Sequence, residues 1–247
     1  MGYWGFRSRV SCALFLEPCA LLFVPYFCRM NILLIAATPM EIAPFLGQYR
    51  QNPSMAAHDI DILITGIGLT ATTYSLTRQL HLKRPDYVIQ AGVGGCFISS
   101  FSLGSVVAIK QEVIADLGVM EKGMMKSLTD LQLMKTNQFP YSKGWLKNKG
   151  ESLKKVNLKK VTAVSVNEIT TSAKRIGLYQ QLFNPVVESM EGAALHYVCL
   201  TEKIPFLQLR ALSNYVGQRN KKKWNMKESI THLNQELVKL LTISNPI

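Results

Sequence analysis

The sequence predicts a single α/β domain built on a central mixed, mostly parallel sheet flanked by helices. Three observations carry that prediction. Short β-branched or aliphatic runs alternate with segments of helical length and spacing, the pattern that goes with a mostly parallel sheet. The runs are continuously apolar, which suits strands buried on both faces. A length of 247 residues, 48% of them hydrophobic, is enough for one packed core. It excludes a disordered chain, and the Gly, Pro and Cys counts exclude collagen-like and disulfide-scaffold classes.

Taken in order, strands are expected over residues 32–37, 60–65, 87–91, 105–109, 113–115, 161–166, 186–188 and 206–212. Helices are expected over 70–82 and 191–201, with a closing helix over 226–241. Ligands of open α/β sheets sit at the carboxyl ends of strands. The informative residues are therefore sought just after the runs.

Residues 1–29 differ from the rest. They hold three of the five cysteines, Cys12, Cys19 and Cys28, with Arg7 and Arg9 ahead of an apolar stretch. Glu17, Pro18 and Pro25 interrupt that stretch, which makes it a poor transmembrane helix. No small-residue cleavage site follows. Residues 1–29 are read as an upstream extension, with Met30 opening the functional domain over 30–247; a membrane or targeting segment is the alternative. Without them only Cys96 and Cys199 remain, with no CxxC or metal spacing. Reduced thiols and a cytoplasmic location are expected.

The net charge is +12, concentrated in the lysine-rich stretch 143–160 and in Arg219, Lys221, Lys222, Lys223 and Lys227. No aromatic interleaving or nucleic-acid motif accompanies these clusters. A solvated surface is the favoured reading, and no nucleic-acid or membrane partner is expected. The histidines His58, His81, His196 and His232 are scattered, so no metal cluster and no cofactor are expected.

Five segments carry chemistry. Thr38-Pro39-Met40-Glu41 follows the first strand, where a carboxylate serves either as a helix-start acid or as a general base. Gly66-Ile67-Gly68 follows the second strand and Gly92-Val93-Gly94-Gly95 the third; such glycines either make a tight turn or let a ligand approach the backbone. They do not form a dinucleotide fingerprint, because the third glycine and the following acid are missing. Glu188-Ser189-Met190-Glu191 leads into a helix of small residues. Two carboxylates and a methionine at a strand end suit the hydroxyls of a ribose. Leu209-Arg210-Ala211-Leu212-Ser213-Asn214 ends a strand in a polar amide.

In this order the five segments resemble the purine nucleoside phosphorylase and nucleosidase superfamily, from Met30 to about Leu241, and within it the methylthioadenosine/adenosylhomocysteine nucleosidase branch. The resemblance implies a nucleoside phosphorylase-like fold, a small-molecule nucleoside substrate and a homo-oligomer. It implies that Glu41 activates water and that Glu191, beside Met190, binds ribose hydroxyls. It implies that the segment around Ile169 contacts the base. The branch has Asp where this chain has Asn214. Adenine leaving with a protonated N7 presents two donors, which a carboxylate accepts. Hypoxanthine presents the O6 acceptor and the N7 hydrogen, which one amide matches. Mismatched buried polar groups cost ~1–3 kcal/mol, so Asn214 predicts a 6-oxopurine leaving group, supported by Ser213. A phosphorylase needs cations around phosphate. No Arg or Lys lies in 38–44 or 66–76, and Glu41 favours water there. The ending, from Ser213 through Arg219 to Trp224, resembles that of futalosine hydrolases, nucleosidases of a menaquinone pathway. Arg219 and Trp224 are accordingly candidates for the substrate's carboxylated aromatic tail. The remaining candidates for substrate contact are Gly68 and Gly94. A methylthioadenosine nucleosidase, a phosphorylase and a non-catalytic purine-binding protein are the alternatives.

Overall fold

Strand β1 (Asn31–Ala36) is buried on both faces, as its uninterrupted apolar sequence requires. A computed structural model describes residues 29–242. Residues 1–28 and 243–247 lie outside the described residues, and the reading of 1–29 as an upstream extension lies there too, Arg29 apart. After β1 come α1 (Pro39–Gln51), β2 (Asp59–Ile64), α2 (Leu69–Leu82), β3 (Tyr87–Cys96) and β4 (Val106–Ile114). A hairpin of β5 (Gly118–Glu121) and β6 (Met124–Ser127) precedes β7 (Leu146–Lys147), α3 (Glu151–Lys155) and β8 (Lys160–Ser165). The chain closes with α4 (Ala173–Phe183), β9 (Val187–Ser189), α5 (Gly192–Thr201), β10 (Phe206–Tyr215) and α6 (Met226–Thr242).

Helices cover both faces of the sheet. Ile32, Leu34 and Ala36 of β1 pack with Ile42 and Phe45 of α1 and Leu233, Leu237 and Leu241 of α6. Leu33 and Ile35 point the other way, onto Leu76 and Leu80 of α2 and Leu195 and Val198 of α5. Helix α6 presents its leucines four residues apart, one stripe toward the core. Helix α5 is apolar on almost every side and correspondingly buried.

The sheet closes on itself. Strand β3 pairs in parallel with β1 and β10, and its last residues, Gly95 and Cys96, also pair antiparallel with β9. Strand β10 runs antiparallel to β4, while β4–β8 and β8–β9 are parallel. Strands β3, β10, β4, β8 and β9 thus form a ring, from which β1 and β2 extend outward along β3. Closure crowds the ring at Gly94, where a Cβ would lie 2.7 Å from Val187 Cγ1 and 3.0 Å from the carbonyl of Glu188. Only glycine admits β9 at that distance.

The structure corrects several boundaries. Residues 92–95 do not follow β3 but complete it, and Ser213 and Asn214 lie inside β10 rather than after it. The two strands expected at 105–109 and 113–115 are one strand, β4, with a register shift between Ile109 and Gln111 that leaves Lys110 exposed. The polar residues in its middle broke the apolar pattern, yet Glu112 is fully buried. Helix α1 is not among the predicted helices, because Pro44 and Gly47 interrupt the pattern. Helix α4 and the β5–β6 hairpin were not predicted either. Most of the lysines in 143–160, and Lys221, Lys222, Lys223 and Lys227, are exposed.

Candidate active site

The carboxyl ends of β1, β3, β9 and β10 converge on a cleft of about 320 Å³. Its walls include Glu41, Gly94, Ile169, Glu188, Met190, Glu191, Ser213, Asn214, Arg219 and Trp224. Nine of the ten residues expected to carry the site therefore lie on one cavity. The tenth, Gly68, is not part of the wall; its N–H donates to Glu191 Oε1 at 3.2 Å, so it holds a wall residue in place.

Glu41 is the third residue of α1 and is buried. Its Oε2 accepts from the Thr38 N–H at 3.0 Å, closing a capping box at the helix start. Its Oε1 accepts from the Val93 N–H at 3.1 Å. From behind, Asn234 of α6 donates to the Glu41 carbonyl and accepts from the Phe45 N–H. Capping and lining the cleft are thus compatible duties of one side chain.

Glu191 is the N-cap residue of α5. Its Oε2 pairs with Arg210 Nη2 at 3.3 Å, both side chains almost fully enclosed. Arg210 also donates to the Gln90 amide oxygen at 3.1 Å and the Val93 carbonyl at 3.2 Å. A buried ion pair is tolerated only when its remaining hydrogen-bonding capacity is met, and here most of it is. Gly92 makes room for this arrangement: a Cβ there would lie 2.5 Å from Arg210 Nη1 and 2.8 Å from Glu41 Oε1. The glycines of 92–95 thus serve close approach, and the groups approaching Gly92 belong to the protein itself.

Asn214 follows a bulge at Ser213, which turns its amide into the cleft. Ser213 Oγ donates to Asn214 Oδ1 at 2.9 Å, and Asn214 Nδ2 donates to the Tyr215 carbonyl at 3.1 Å. One lone pair and one N–H remain for a ligand. Glu188 also faces the cleft; its Oε1 accepts from the Thr170 N–H at 3.1 Å, and burial pushes its carboxyl above the ordinary value. Arg219 lies over the Trp224 ring, 5.7 Å from its centroid, and the indole N–H donates to the Gln218 carbonyl. Among the described residues lining the cleft, Arg219 is the one cation.

Arg210 is the residue that sequence reasoning missed. The signal was present: one arginine inside the apolar run 206–212 demands a buried partner. Glu188, one of the two carboxylates noted in the segment 188–191, and Ile67, between the two glycines 66 and 68, also line the cleft.

The sequence profile of the phosphorylase superfamily matches residues 32–243, and the chain belongs to that family. It is similar to a futalosine hydrolase of Thermus thermophilus, 29% identical over 182 residues, covering 72% of this chain and 80% of that protein. It is also similar to a futalosine hydrolase of Streptomyces coelicolor, 26% identical, covering 87% and 96%. Among solved structures, a 5'-methylthioadenosine/S-adenosylhomocysteine nucleosidase from S. pneumoniae superposes with a TM-score of 0.70 over 86% of this chain and 99% of that one. At 18% identity, that likeness is one of fold.

Proposed function

We propose that this protein hydrolyses the N-glycosidic bond of futalosine, releasing hypoxanthine and dehypoxanthine futalosine, within the futalosine route of menaquinone biosynthesis. The observation that carries this reading is Asn214. Its free lone pair accepts the N7 hydrogen of departing hypoxanthine, and its free N–H donates to O6. The two futalosine hydrolase relatives support the same substrate.

Bond cleavage builds positive charge on the ribosyl ring. Glu191, oriented by Arg210 and Gly68, accepts from the ribose hydroxyls and stabilises that charge. Glu41, fixed by Thr38 and Val93, orients a water for attack at C1′ and takes its proton. Asn214 steadies the leaving base. Phosphate is disfavoured as the nucleophile because the buried cation at this end, Arg210, is already engaged and two carboxylates face the space. Arg219 and Trp224 are assigned to the substrate's carboxylated aromatic tail. No described helix is long and apolar enough to cross a membrane, and a cytoplasmic homo-oligomer is part of the proposal. Exposed Met40, Ile67 and Tyr74, beside the cleft mouth and on α2, favour such pairing.

The second reading is a methylthioadenosine/adenosylhomocysteine nucleosidase, favoured by a relative of that name from Geobacillus sp., 28% identical over 172 residues. Base release from futalosine, inosine and methylthioadenosine in phosphate-free buffer separates the readings. Hypoxanthine from futalosine is the expected product. Adenine from methylthioadenosine supports the second reading, and turnover only on adding phosphate makes the protein a phosphorylase. Nucleoside binding without any turnover leaves a purine-binding protein.

A further inference from the structure

Beneath the first turn of α5 lies a polar cluster that the proposed chemistry does not use. Glu112 of β4 is fully buried. Its Oε1 accepts from Gln208 Nε2 at 2.9 Å and its Oε2 from Ser165 Oγ at 3.1 Å. Ser165 Oγ in turn accepts from the Ala193 N–H at 2.8 Å and lies 3.4 Å from Ser189 Oγ. Ser189 Oγ accepts from the Gly192 N–H at 3.2 Å. A helix start leaves such N–H groups without intrahelical partners, and two serines on neighbouring strands supply them here. The contact is tight: a Cβ on Gly192 would collide with Glu112 Oε1 and Gln208 Nε2. Both capped N–H groups directly follow Glu191, the residue that pairs with Arg210.

The direction of this chain depends on one proton. With Glu112 ionised, Ser165 donates to it and Ser189 donates to Ser165. Every hydroxyl hydrogen then has an acceptor, and both N–H groups keep theirs. With Glu112 protonated, its O–H donates to Ser165 and Ser165 donates to Ser189, so the Ser189 hydrogen loses its acceptor. A buried donor left unpaired carries a cost.

The geometry points to Glu112 as a positioning residue for Glu191, acting through Ser165 and Ser189 on the first turn of α5, with loss of its proton completing the cap. The charged or titratable groups facing Glu112 are Arg210 from β10, Glu191 from α5 and, across Gln208, His196 from α5. Burial pushes the Glu112 carboxyl up to about 7 against the pull of Gln208 and Arg210, so the proton moves within the working range of pH. Glu188 is raised as well, but its hydrogen bond runs to Thr170, outside the chain.

Only the activity readout rests on the proposed hydrolysis. kcat/KM is measured from pH 6 to 8 in the wild type, in Glu112→Gln and in Ser165→Ala, on whichever nucleoside releases its base. The wild type rises about three- to fourfold across this range, between plateaus about fivefold apart, the worth of one net hydrogen bond. Glu112→Gln, whose amide mimics the protonated acid, stays on the lower plateau, and Ser165→Ala also loses the rise. Either variant alone reads the coupling if the other fails to fold. In parallel, difference infrared spectra of the ligand-free protein follow the C=O stretch of a protonated carboxylic acid. One such band disappears between pH 6 and 8 in the wild type and in Ser165→Ala, and is missing from Glu112→Gln. The inference is overturned if a variant keeps the wild-type rise, or if Glu112→Gln leaves the infrared titration unchanged. If futalosine is not cleaved but another nucleoside is, the substrate assignment fails and this inference is still decided. If none is cleaved, the infrared titration decides the proton on its own, and the pH dependence of inosine binding decides the coupling.

Discussion

Glu41 and Glu191 stand at the N-terminal ends of two helices, yet they are held in different ways. Glu41 is fixed on one oxygen by its own neighbourhood, through the Thr38 N–H three residues back, and on the other by the Val93 N–H of β3. Glu191 has no such partner; it is fixed by Gly68 from the turn before α2 and by Arg210 from β10. A local cap is formed by four consecutive residues and is robust to changes elsewhere. A long-range pair exists only once the ring of strands has closed. The site therefore combines one carboxylate set in part by local sequence with one set wholly by tertiary structure.

Substitutions test this contrast. The largest expected effect is on catalysis: Glu41→Gln retains the size of the side chain but cannot take a proton. It lowers kcat by about 10²–10⁴-fold, and because its NH2 faces one of the two N–H groups that the carboxylate served, it also lowers the stability read by urea unfolding by the worth of one unpaired donor, ~1–3 kcal/mol. Next is Arg210→Ala, which strands the buried Glu191 charge. It costs ~3–5 kcal/mol, measured by urea unfolding, and Arg210→Lys does not restore the forked contacts to Glu191, Gln90 and Val93. Asn214→Asp changes selectivity rather than stability. The ratio of kcat/KM for adenine over hypoxanthine nucleosides rises by about 10- to 100-fold, equivalent to ~1–3 kcal/mol. Thr38→Ala is the smallest change, at ~1 kcal/mol, because it removes only the hydroxyl contacts of the cap, while the backbone N–H of residue 38, Val93 and Asn234 still hold Glu41. If Thr38→Ala matched Arg210→Ala in cost, the contrast between the two glutamates would be wrong.

The protonation of His196 adds a test of the buried layer between them. Burial against Phe206 holds its imidazole down to about 4, so the folded protein keeps it neutral. The unfolded chain takes up the proton below about 6.5. Stability from this group is thus present above that value and is lost as pH falls through 4. His196→Asn loses less stability than the wild type between pH 7 and 5 in urea unfolding.

The same contrast explains what was legible in the sequence. Strands β1, β2 and β8 were visible from their aliphatic runs, and their predicted ends fall within a residue of the observed ones; the burial such runs suggest holds for β1 and most of β8 but not for β2, an edge strand with no buried residue. The segment ending in Glu41 was visible because a capping box is written in adjacent residues. The interior of the ring was not. Glu112, Gln208 and Arg210 read as interruptions of apolar strands, and their partners lie on other elements, 53 positions away for Ser165–Glu112, 96 for Glu112–Gln208 and 120 for Arg210–Gln90. Strand β4 was split in two for that reason. The length of β3 was missed because glycines mark turns as readily as close packing. Arg219 and Trp224 came from resemblance, and their contact with each other, 5.7 Å between guanidinium and ring, had no local signature.

The most direct measurement is hydrolysis of futalosine in ¹⁸O-enriched, phosphate-free water, with the base identified chromatographically and the sugar product by mass. The expected result is hypoxanthine together with one ¹⁸O on the released sugar, a label that Glu41→Gln no longer introduces at a measurable rate. Unlabelled sugar, a requirement for phosphate, or adenine nucleosides as the preferred substrates would contradict the assignment of Glu41 to water and of Asn214 to a 6-oxopurine.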